Sequence, residues 1–401
     1  MNYLTLALRN LLRQRGRTGS ALGAIAFGVI ALVLATGFIE WILWAMREAA
    51  IESQLGHIQI MRPGYLQKGV ADPYAYLLPE RPQTVDAIER LTHVAAVAPR
   101  LNFSGLIAKG ETTVSFLGVG VIPEKERVAS RQLRILQGGN LTAGSGAEVV
   151  LGQGLAALLG AEVGDTVVLV ATKRSGGISA SEVRVSGIFF TSSKAYDDIA
   201  LRVPISLART LLAVEGSHTW VVALDDTRYT DQVGAVIKQL AGRGLDVVPW
   251  YEQAVFYQKT VALFSKQVSV VWGLILLVIV LSISNTMVMV VFERTRELGT
   301  MMALGFPKRA VVFMVALEGV MLGMVGGTIG ILAGGVLALV LSAIGIPMPP
   351  PPGVAVGFDA AIRLTPEIMV KALVLAVVAC SVASVLPAWR VSRLNIVAAL
   401  R

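Results

Sequence analysis

The chain has 401 residues, of which 54% are hydrophobic and 15% are charged, and its formal net charge is +8. With a mean hydropathy of +0.67 it is too apolar for an ordinary soluble protein, so part of it must lie in lipid. The basic residues surround the apolar runs, so the charge indicates contact with anionic lipid headgroups and excludes nucleic-acid binding as its explanation.

Four apolar runs are long enough to cross a bilayer, which takes about 20 residues in a helix. We predict transmembrane helices over residues 21–46, 267–292, 310–344 and 368–389, with an amphipathic cytoplasmic helix over 1–20 before the first. The first run is too long for a signal peptide and no small-residue cleavage site follows it, so we interpret it as an uncleaved span.

The basic residues set the orientation of these spans. They cluster before the first span, between the second and third (293–309), and in a tail over 390–401, and these segments share one side of a four-span topology. The positive-inside rule makes that side cytoplasmic. Residues 47–265 hold equal numbers of basic and acidic residues, so the whole net charge lies on the rest of the chain.

Residues 47–266 form a domain of about 220 residues on the outer side, large enough for a core of its own. Strand-like runs at 57–61, 114–122, 165–172, 181–190 and 220–226 are interspersed with helix-like segments at 84–94, 152–161 and 228–244. The predicted fold is therefore four membrane helices with a large α+β domain inserted between the first two. The single cysteine, Cys380, lies in the fourth span, so no intrachain disulfide can hold this domain together.

The sequence carries no enzyme signature. It contains no GxxxxGK[ST] phosphate loop, and the histidines His57, His93 and His218 are scattered without metal-ligand spacing. We therefore expect no catalytic residues, no metal site and no cofactor in this chain.

The cytoplasmic segment 293–309, ERTRELGTMMALGFPKR, combines charges with an amphipathic helical pattern. Gly305 is placed to end a helix, and Pro307 fits the first turn of the next. Such a short helix could transmit a push from a cytoplasmic partner, or it could simply lie on the headgroups. Glu318, about two turns inside the third span, must face protein or water, either as a structural hydrogen-bonding group or as part of the coupling.

The third span carries glycine at four-residue intervals, which lets helix backbones approach closely in lipid. Gly319, Gly323 and Gly327 form one row, and Gly326, Gly330 and Gly334 form a second. From these we select Gly319, Gly323, Gly327 and Gly330 as helix-packing residues. The sequence leaves open whether their partner is another span of the same chain or a second permease subunit.

The run ERTRELGTMMALGFPKRAVVFMVALEGVMLGMVGGTIGILAGG resembles the signature region of FtsX-like ABC-transporter permeases, which include MacB-type and LolC/LolE-type proteins. Residues 6–29, 149–170 and 384–401 resemble other parts of the same family, so the likeness covers nearly the whole chain. It implies a type VII ABC transporter in which a cytoplasmic ATPase dimer binds ATP and Mg. The chain itself would pair with a second permease subunit, identical or similar to it, and would have no nucleotide-binding domain of its own.

The resemblance implies that 293–305 is the coupling helix that docks on the ATPase and passes its motion to the outer domain, an action called mechanotransmission. The residues assigned to this contact are Glu293, Arg294, Arg296, Glu297, Leu298, Met301, Leu304 and Gly305.

The segment SQLGHIQIMRPGY (53–65) resembles the LolE-like lipoprotein-releasing permeases. The implied function is extraction of acylated lipoproteins or lipids from the outer leaflet of a bacterial inner membrane, with the large domain in the periplasm. Acyl chains would enter a cavity between the first and second spans of two subunits. Its candidate lining is Phe38, Trp41, Ile42, Phe264, Val268 and Val271.

A hairpin hook that recruits a periplasmic carrier in LolC-type subunits is short here, at 171–182, which argues against carrier recruitment through Lys173 and Arg174. The Pro-rich periplasmic loop, 345–367, is expected to be a stiff connector or, alternatively, a lid. Two other functions stay open. One is MacB-like efflux of small molecules or peptides with a periplasmic adaptor, and the other is FtsX-like regulation of a periplasmic hydrolase.

Overall fold

The computed structural model describes residues 15–69, 71–80, 82–191, 193–349 and 357–392. Most of the predicted N-terminal helix, the center of the Pro-rich loop (350–356) and most of the C-terminal tail lie outside these residues. The chain divides into two compact units. We call the described residues up to Trp44, Thr260–Met348 and those from Asp359 onward the membrane unit, and Ala45–Lys259 the outer domain.

The helices of the described residues are, in chain order, α1 (Arg15–Ala50), α2 (Tyr65–Lys68), α3 (Pro82–Glu89), α4 (Pro123–Ala129), α5 (Gln153–Leu159), α6 (Lys194–Asp197), α7 (Ile205–Leu212), α8 (Thr230–Ala241), α9 (Trp250–Gln253), α10 (Val255–Glu293), α11 (Thr295–Ala303), α12 (Lys308–Ile344) and α13 (Pro366–Ser392). The strands are β1 (Ile58–Met61), β2 (Val94–Lys109), β3 (Thr112–Val121), β4 (Arg134–Gly138), β5 (Glu148–Gly152), β6 (Thr166–Thr172), β7 (Ile178–Phe190), β8 (Ala200–Pro204), β9 (Thr219–Leu224), β10 (Asp246–Pro249), β11 (Ile346–Met348) and β12 (Phe358–Ala360).

Within the described part of the chain, four helices are long and apolar enough to cross a membrane, namely α1, α10, α12 and α13. Their most apolar windows have mean hydropathies between 2.2 and 2.7. The expected four membrane helices are therefore confirmed. Helix α12 has 37 residues, or about 55 Å at 1.5 Å per residue, which exceeds a hydrocarbon core of about 30 Å.

The outer domain is built on one sheet to which ten of the described strands belong, in the order β10-β1-β9-β2-β3-β8-β5-β7-β4. Strand β6 pairs with both β2 and β7, so β2, β3, β8, β5, β7 and β6 close into a ring. Most neighbours are antiparallel, while β3 with β8 and β5 with β7 are parallel. An α+β domain between the first and second spans was predicted, and that class is confirmed.

The two largest apolar cores of the outer domain lie on different parts of its sheet. The larger lies with the closed ring and contains Leu101, Leu151, Leu169 and Leu201. The smaller lies where helices α3 and α8 cover the sheet around β1 and β9, and includes Ile60, Ile88, Trp220 and Ile237. The long strand β2 contributes to both cores, so it links the two halves of the domain.

The sequence did not predict β2, although it is 16 residues long. Pro99, Arg100 and Asn102 interrupt its apolar pattern, and these polar positions are satisfied by contacts from distant parts of the domain. Strands β4, β5, β8 and β10, each five residues or shorter, were also not predicted.

Candidate functional site

The predicted coupling segment forms a short helix with defined ends. Helix α10 stops at Glu293, Arg294 departs from helical geometry at φ −95° and ψ 11°, and α11 then runs from Thr295 to Ala303. At its far end the Gly305 amide donates to Met302 O at 3.2 Å and the Phe306 amide donates to Met301 O at 3.1 Å. Gly305 has a φ of +95°, so this is a Schellman ending that favours glycine.

Helix α11 has an anchored face and an exposed face. Leu298 and Met302 are buried and pack into the apolar core of the membrane unit, with Met301 half-buried against the same cluster. Arg296, Thr300, Ala303 and Leu304 are exposed, and Leu304 is 76% accessible. Leu298 is thus an anchor of the helix, and the exposed residues are those that a cytoplasmic partner could contact.

Arg294 fixes the start of α11 through two carboxylates. Its Nη1 lies 3.1 Å from Glu318 Oε1 and its Nε lies 3.1 Å from Glu297 Oε2. Glu318 is only 4% exposed, and a charge in a transmembrane helix is costly unless it faces protein or water. The ion pair places Glu318 in contact with the proposed coupling segment. Glu293, one residue earlier, forms an ion pair with Arg17 of α1.

The glycine rows of α12 face two different helices of the same chain. A Cβ at Gly319 would lie 2.7 Å from Ser384 Cβ, and at Gly323 it would lie 2.9 Å from Val377 Cα, so this row packs against α13. A Cβ at Gly327 would likewise lie 2.9 Å from Leu373 Cδ1. On the other row, a Cβ at Gly330 would lie 2.6 Å from Val29 Cβ of α1. Both rows therefore have partners within this chain.

The six candidate cavity residues lie on α1 and α10 of the membrane unit. Val271 is 36% exposed, and the other five are half-buried. The two helices touch where Trp272 Nε1 donates to Thr36 Oγ1 at 3.1 Å, and where Gly28 meets Ile279. Next to Phe38, the Gly37 carbonyl accepts from the Arg363 amide at 3.0 Å, and the Arg363 guanidinium lies 5.0 Å from the Trp44 ring center.

The short hairpin considered for carrier recruitment is folded back on the domain. Strand β6 ends at Thr172 and β7 begins at Ile178. The Lys173 amide donates to Gly177 O, and the Arg174 amide donates to Leu212 O, each at 3.0 Å.

Sequence reasoning missed a buried charge cluster in the outer domain formed by Arg100, Glu126 and Arg202. Burial alone would raise the pKa of Glu126, but the two guanidinium charges outweigh burial and lower that pKa to about 2. The cluster has no local signature, because its members lie on β2, α4 and β8, far apart in the chain.

Two of the three histidines accept backbone hydrogen bonds inside the outer domain. The ring of His57 accepts from the Leu224 amide, and that of His218 accepts from the Asn102 amide. Burial lowers the pKa of each to about 4, with the charge of Arg131 acting in the same direction on His57. Among the residues that the structure describes, no group of three or more His, Cys, Asp or Glu side chains is arranged to hold a metal ion.

Two family models match the chain. Residues 18–240 match "MacB-like periplasmic core domain", and residues 269–396 match "FtsX-like permease C-terminal". The first covers more than half of the chain and corresponds to α1 and most of the outer domain. The second covers most of α10 and the helices that follow.

Several curated proteins are similar over part of their length. The chain is 27% identical over 179 residues to an uncharacterized ABC transporter permease, MJ1507, of Methanocaldococcus jannaschii, covering 42% of this chain and 43% of that protein. It is 30% identical over 171 residues to the pyoverdine export ATP-binding/permease protein PvdT of Pseudomonas entomophila, covering 39% of this chain and 26% of that one. The chain thus spans less than half the length of these relatives.

Solved structures of related regions are similar at low identity. The periplasmic region of MacB from Actinobacillus actinomycetemcomitans matches with 15% identity and a TM-score of 0.37, covering 54% of this chain and 95% of that one. The extracellular domain of the transporter YknZ from Gram-positive bacteria matches with 12% identity and a TM-score of 0.36, covering 48% and 100%. On the strength of the family matches, the chain belongs to the ABC-transporter permeases that combine a MacB-like periplasmic core domain with an FtsX-like C-terminal region.

Proposed function

We propose that this chain is a permease subunit that converts ATP hydrolysis by a separate ATPase dimer into movement of its outer domain. The observation that carries the proposal is the pair of family matches, which together cover the outer domain and the membrane helices. The permease family implies an ATPase partner. ATP and Mg would bind to that partner, and two permease subunits would assemble in a bacterial inner membrane.

The geometry of α11 supports its role as the coupling helix. A helix that transmits a push must be held firmly on one side and accessible on the other. Leu298 and Met302 hold α11 in the apolar core, and the Arg294–Glu318 pair fixes its start. The exposed residues Arg296 and Leu304 are the candidate contacts with the ATPase.

Photo-crosslinking tests this assignment. A benzoylphenylalanine at Leu304 is expected to capture the cognate ATPase in membranes, whereas the same probe at Met302, which is 6% exposed, is expected not to. Absence of ATPase capture from Leu304, Arg296 and Thr300 alike would overturn the coupling role of α11.

We further propose that the cargo is an acylated lipoprotein or a lipid of the outer leaflet. Phe38, Trp41, Ile42, Phe264, Val268 and Val271 are apolar, and each is half-buried or exposed within one chain, so a second subunit and acyl chains could share contact with them. The domain would then work by lifting membrane-anchored cargo. The short, folded-back hairpin at Lys173 favours a LolE-like subunit, or a homodimer that works without a carrier.

Export of a small molecule or peptide through an adaptor is the second candidate. It is favoured by the similarity to PvdT, a protein named for pyoverdine export. In that case the outer domain would act on cargo outside the membrane, and the apolar residues of α1 and α10 would contact only lipid and the partner permease.

A crosslinking residue at Ile42, and separately at Val271, distinguishes these cargoes. Capture of acylated lipoproteins at both positions, with release on adding ATP, supports extraction. Capture of only phospholipid or partner permease, together with an adaptor bound to the outer domain, supports export. A peptidoglycan hydrolase bound to that domain would instead favour the regulatory function of FtsX-like proteins.

A further inference from the structure

The end of the first helix lies within the outer domain and is capped by residues from the core of that domain. Helix α1 ends at Ala50 and is followed by a π-helical turn, Ile51–Leu55. The last carbonyls of a helix have no partner inside it and need donors from elsewhere. Here the carbonyl of Glu52 accepts from the Gln132 amide at 3.2 Å, and that of Ser53 accepts from Arg202 Nη2 at 3.0 Å. The Gln54 carbonyl accepts from Arg100 Nη1.

Each arginine of the buried cluster contacts both the helix end and Glu126. Arg202 Nη1 lies 2.8 Å from Glu126 Oε1 while its Nη2 donates to Ser53 O. Arg100 places Nε and Nη2 on the same carboxylate, at 3.1 and 2.8 Å, while its Nη1 donates to Gln54 O. The planar fork of a guanidinium can make both contacts at once, which a lysine ammonium cannot do in the same geometry.

The charges of the cluster and of the helix end explain why two arginines can share one carboxylate in a buried site. The side chains of Arg100, Glu126 and Arg202 are 8%, 6% and 5% exposed. Two guanidinium groups and one carboxylate leave one positive charge. The carbonyl end of a helix carries about half a negative charge, so the helix end stabilises the excess charge while the arginines cap it.

A second tether holds the same helix one turn earlier. Thr227 Oγ1 lies 3.1 Å from Glu48 Oε2 and 3.3 Å from His57 Nε2. His57 Nδ1 accepts the Leu224 amide at 3.0 Å, so Nε2 carries the proton and donates toward Thr227. The hydroxyl of Thr227 can then donate to Glu48, which joins the helix to the turn that follows strand β9.

We propose that Arg100, Glu126 and Arg202 are positioning residues that join the end of the first membrane helix to the outer domain as one mechanical body. Rotation or displacement of the helix end would then move β2, α4 and β8, the elements that carry these side chains, together with it. The transmitting role rests on the proposed function, because it presumes that motion arriving along the first helix drives the domain.

The test uses the full chain with its ATPase in nanodiscs and hydrogen exchange read by mass spectrometry. The variants are Arg202→Lys and Arg100→Lys, which keep the charge but not both contacts. The matched control is Arg184→Lys, whose partner Glu148 lies in the same domain and whose own side chain is 63% exposed. We expect exchange in residues 51–57 to accelerate about tenfold or more in both cluster variants and to stay unchanged in the control.

The second measurement is the ATP-dependent change in exchange within β2. In the wild type we expect such a change, and in Arg202→Lys we expect it to fall by half or more at an unaltered rate of ATP hydrolysis. If the arginines serve only to balance charge, the two lysine variants should behave like the wild type in both measurements. That result would overturn the inference. If the wild type itself shows no ATP-dependent change, the proposed function and the transmitting role fail together, while the exchange of 51–57 still decides whether the cluster holds the helix end.

Discussion

The outer domain and the membrane unit each bury a carboxylate on arginine, and both do so where a helix ends. In the outer domain Glu126 meets two arginines, each of which also donates from one Nη atom to a carbonyl of Ser53 or Gln54. In the membrane unit Glu318 meets Arg294, the residue that separates α10 from α11. The apolar cores around them hold helices and strands together, and the charged groups contact the residues at which these helices end.

The two clusters differ in how their charges are satisfied. Glu126 lies in a protein core and accepts hydrogen bonds from Arg100, Arg202 and Ser130, so its surroundings are entirely protein groups. Arg294 divides its donors between Glu318 and Glu297, and Glu297 is partly exposed. The domain cluster is therefore enclosed by protein groups, and we call it the closed joint, whereas the membrane cluster includes a partly exposed carboxylate.

Removing the carboxylate of the closed joint should give the largest effect. Glu126→Ala leaves Arg100 and Arg202 buried without their counter-charge, and breaking such a pair from one side costs about 3–5 kcal/mol. Urea titration of the full chain in detergent, read by hydrogen exchange in β2, measures the free energy of unfolding of the domain. Glu148→Ala, which breaks the exposed pair with Arg184, should cost less than about 1 kcal/mol. Equal losses in the two variants would contradict the closed joint.

Removing the arginine of the membrane cluster should have a somewhat smaller effect. Arg294→Gln deprives Glu318 of its guanidinium partner inside the helix bundle, and we expect a loss of about 2–3 kcal/mol. Resistance of the purified chain to SDS measures this loss. Arg309→Gln, at an exposed position near the start of α12, is the control and should change little. Recovery in the exchanged pair, Arg294→Glu with Glu318→Arg, would tie the effect to the contact itself.

The sequence predicted those features that depend on neighbouring residues. Long apolar runs identified the four spans, and Gly305 with Pro307 marked the boundary between α11 and α12, where Pro307 proves to be the N-cap. The glycine period predicted close packing, but a period cannot say which helix is the partner. The structure supplies that answer, with α13 on one row and α1 on the other.

Long-range polar contacts could not be predicted from one sequence. Arg100 and Glu126 are 26 residues apart, and Glu126 and Arg202 are 76 apart, so neither spacing has a helical or strand period. The strand that carries Arg100, β2, was missed because a buried arginine breaks the apolar alternation that identifies a strand. Glu318 was identified as unusual from its place in a span, but its partner, 24 residues earlier, depends on how the turn into α12 folds.

The close approach of α12 to α1 in the membrane unit requires glycine, and a matched pair of glycines can test this. At Gly330 a new Cβ would lie 2.6 Å from Val29 Cβ, whereas at Gly335 nothing lies within 4 Å. Gly330→Ala should therefore lower resistance to SDS by about 1–3 kcal/mol, because α1 and α12 must move apart. Gly335→Ala should be neutral or slightly stabilising. A loss in both variants would mean that helix flexibility, and not contact, requires the glycines.

Acid should destabilise the outer domain more than the membrane unit, because the three histidines of the chain lie within residues 45–259. The folded pKa of His57 and His218 is lowered by burial from 6.5 to about 4, so the unfolded state binds more protons between these values. Their contribution to stability is full above pH 6.5 and is lost as the pH falls toward 4. From pH 7 to pH 5 we expect the outer domain to lose about 1–2 kcal/mol for each histidine. The same urea titration at the two pH values measures this, and His218→Gln should flatten the dependence while the SDS resistance of the membrane unit stays constant. An unchanged slope in His218→Gln would show that the acid sensitivity arises from other groups.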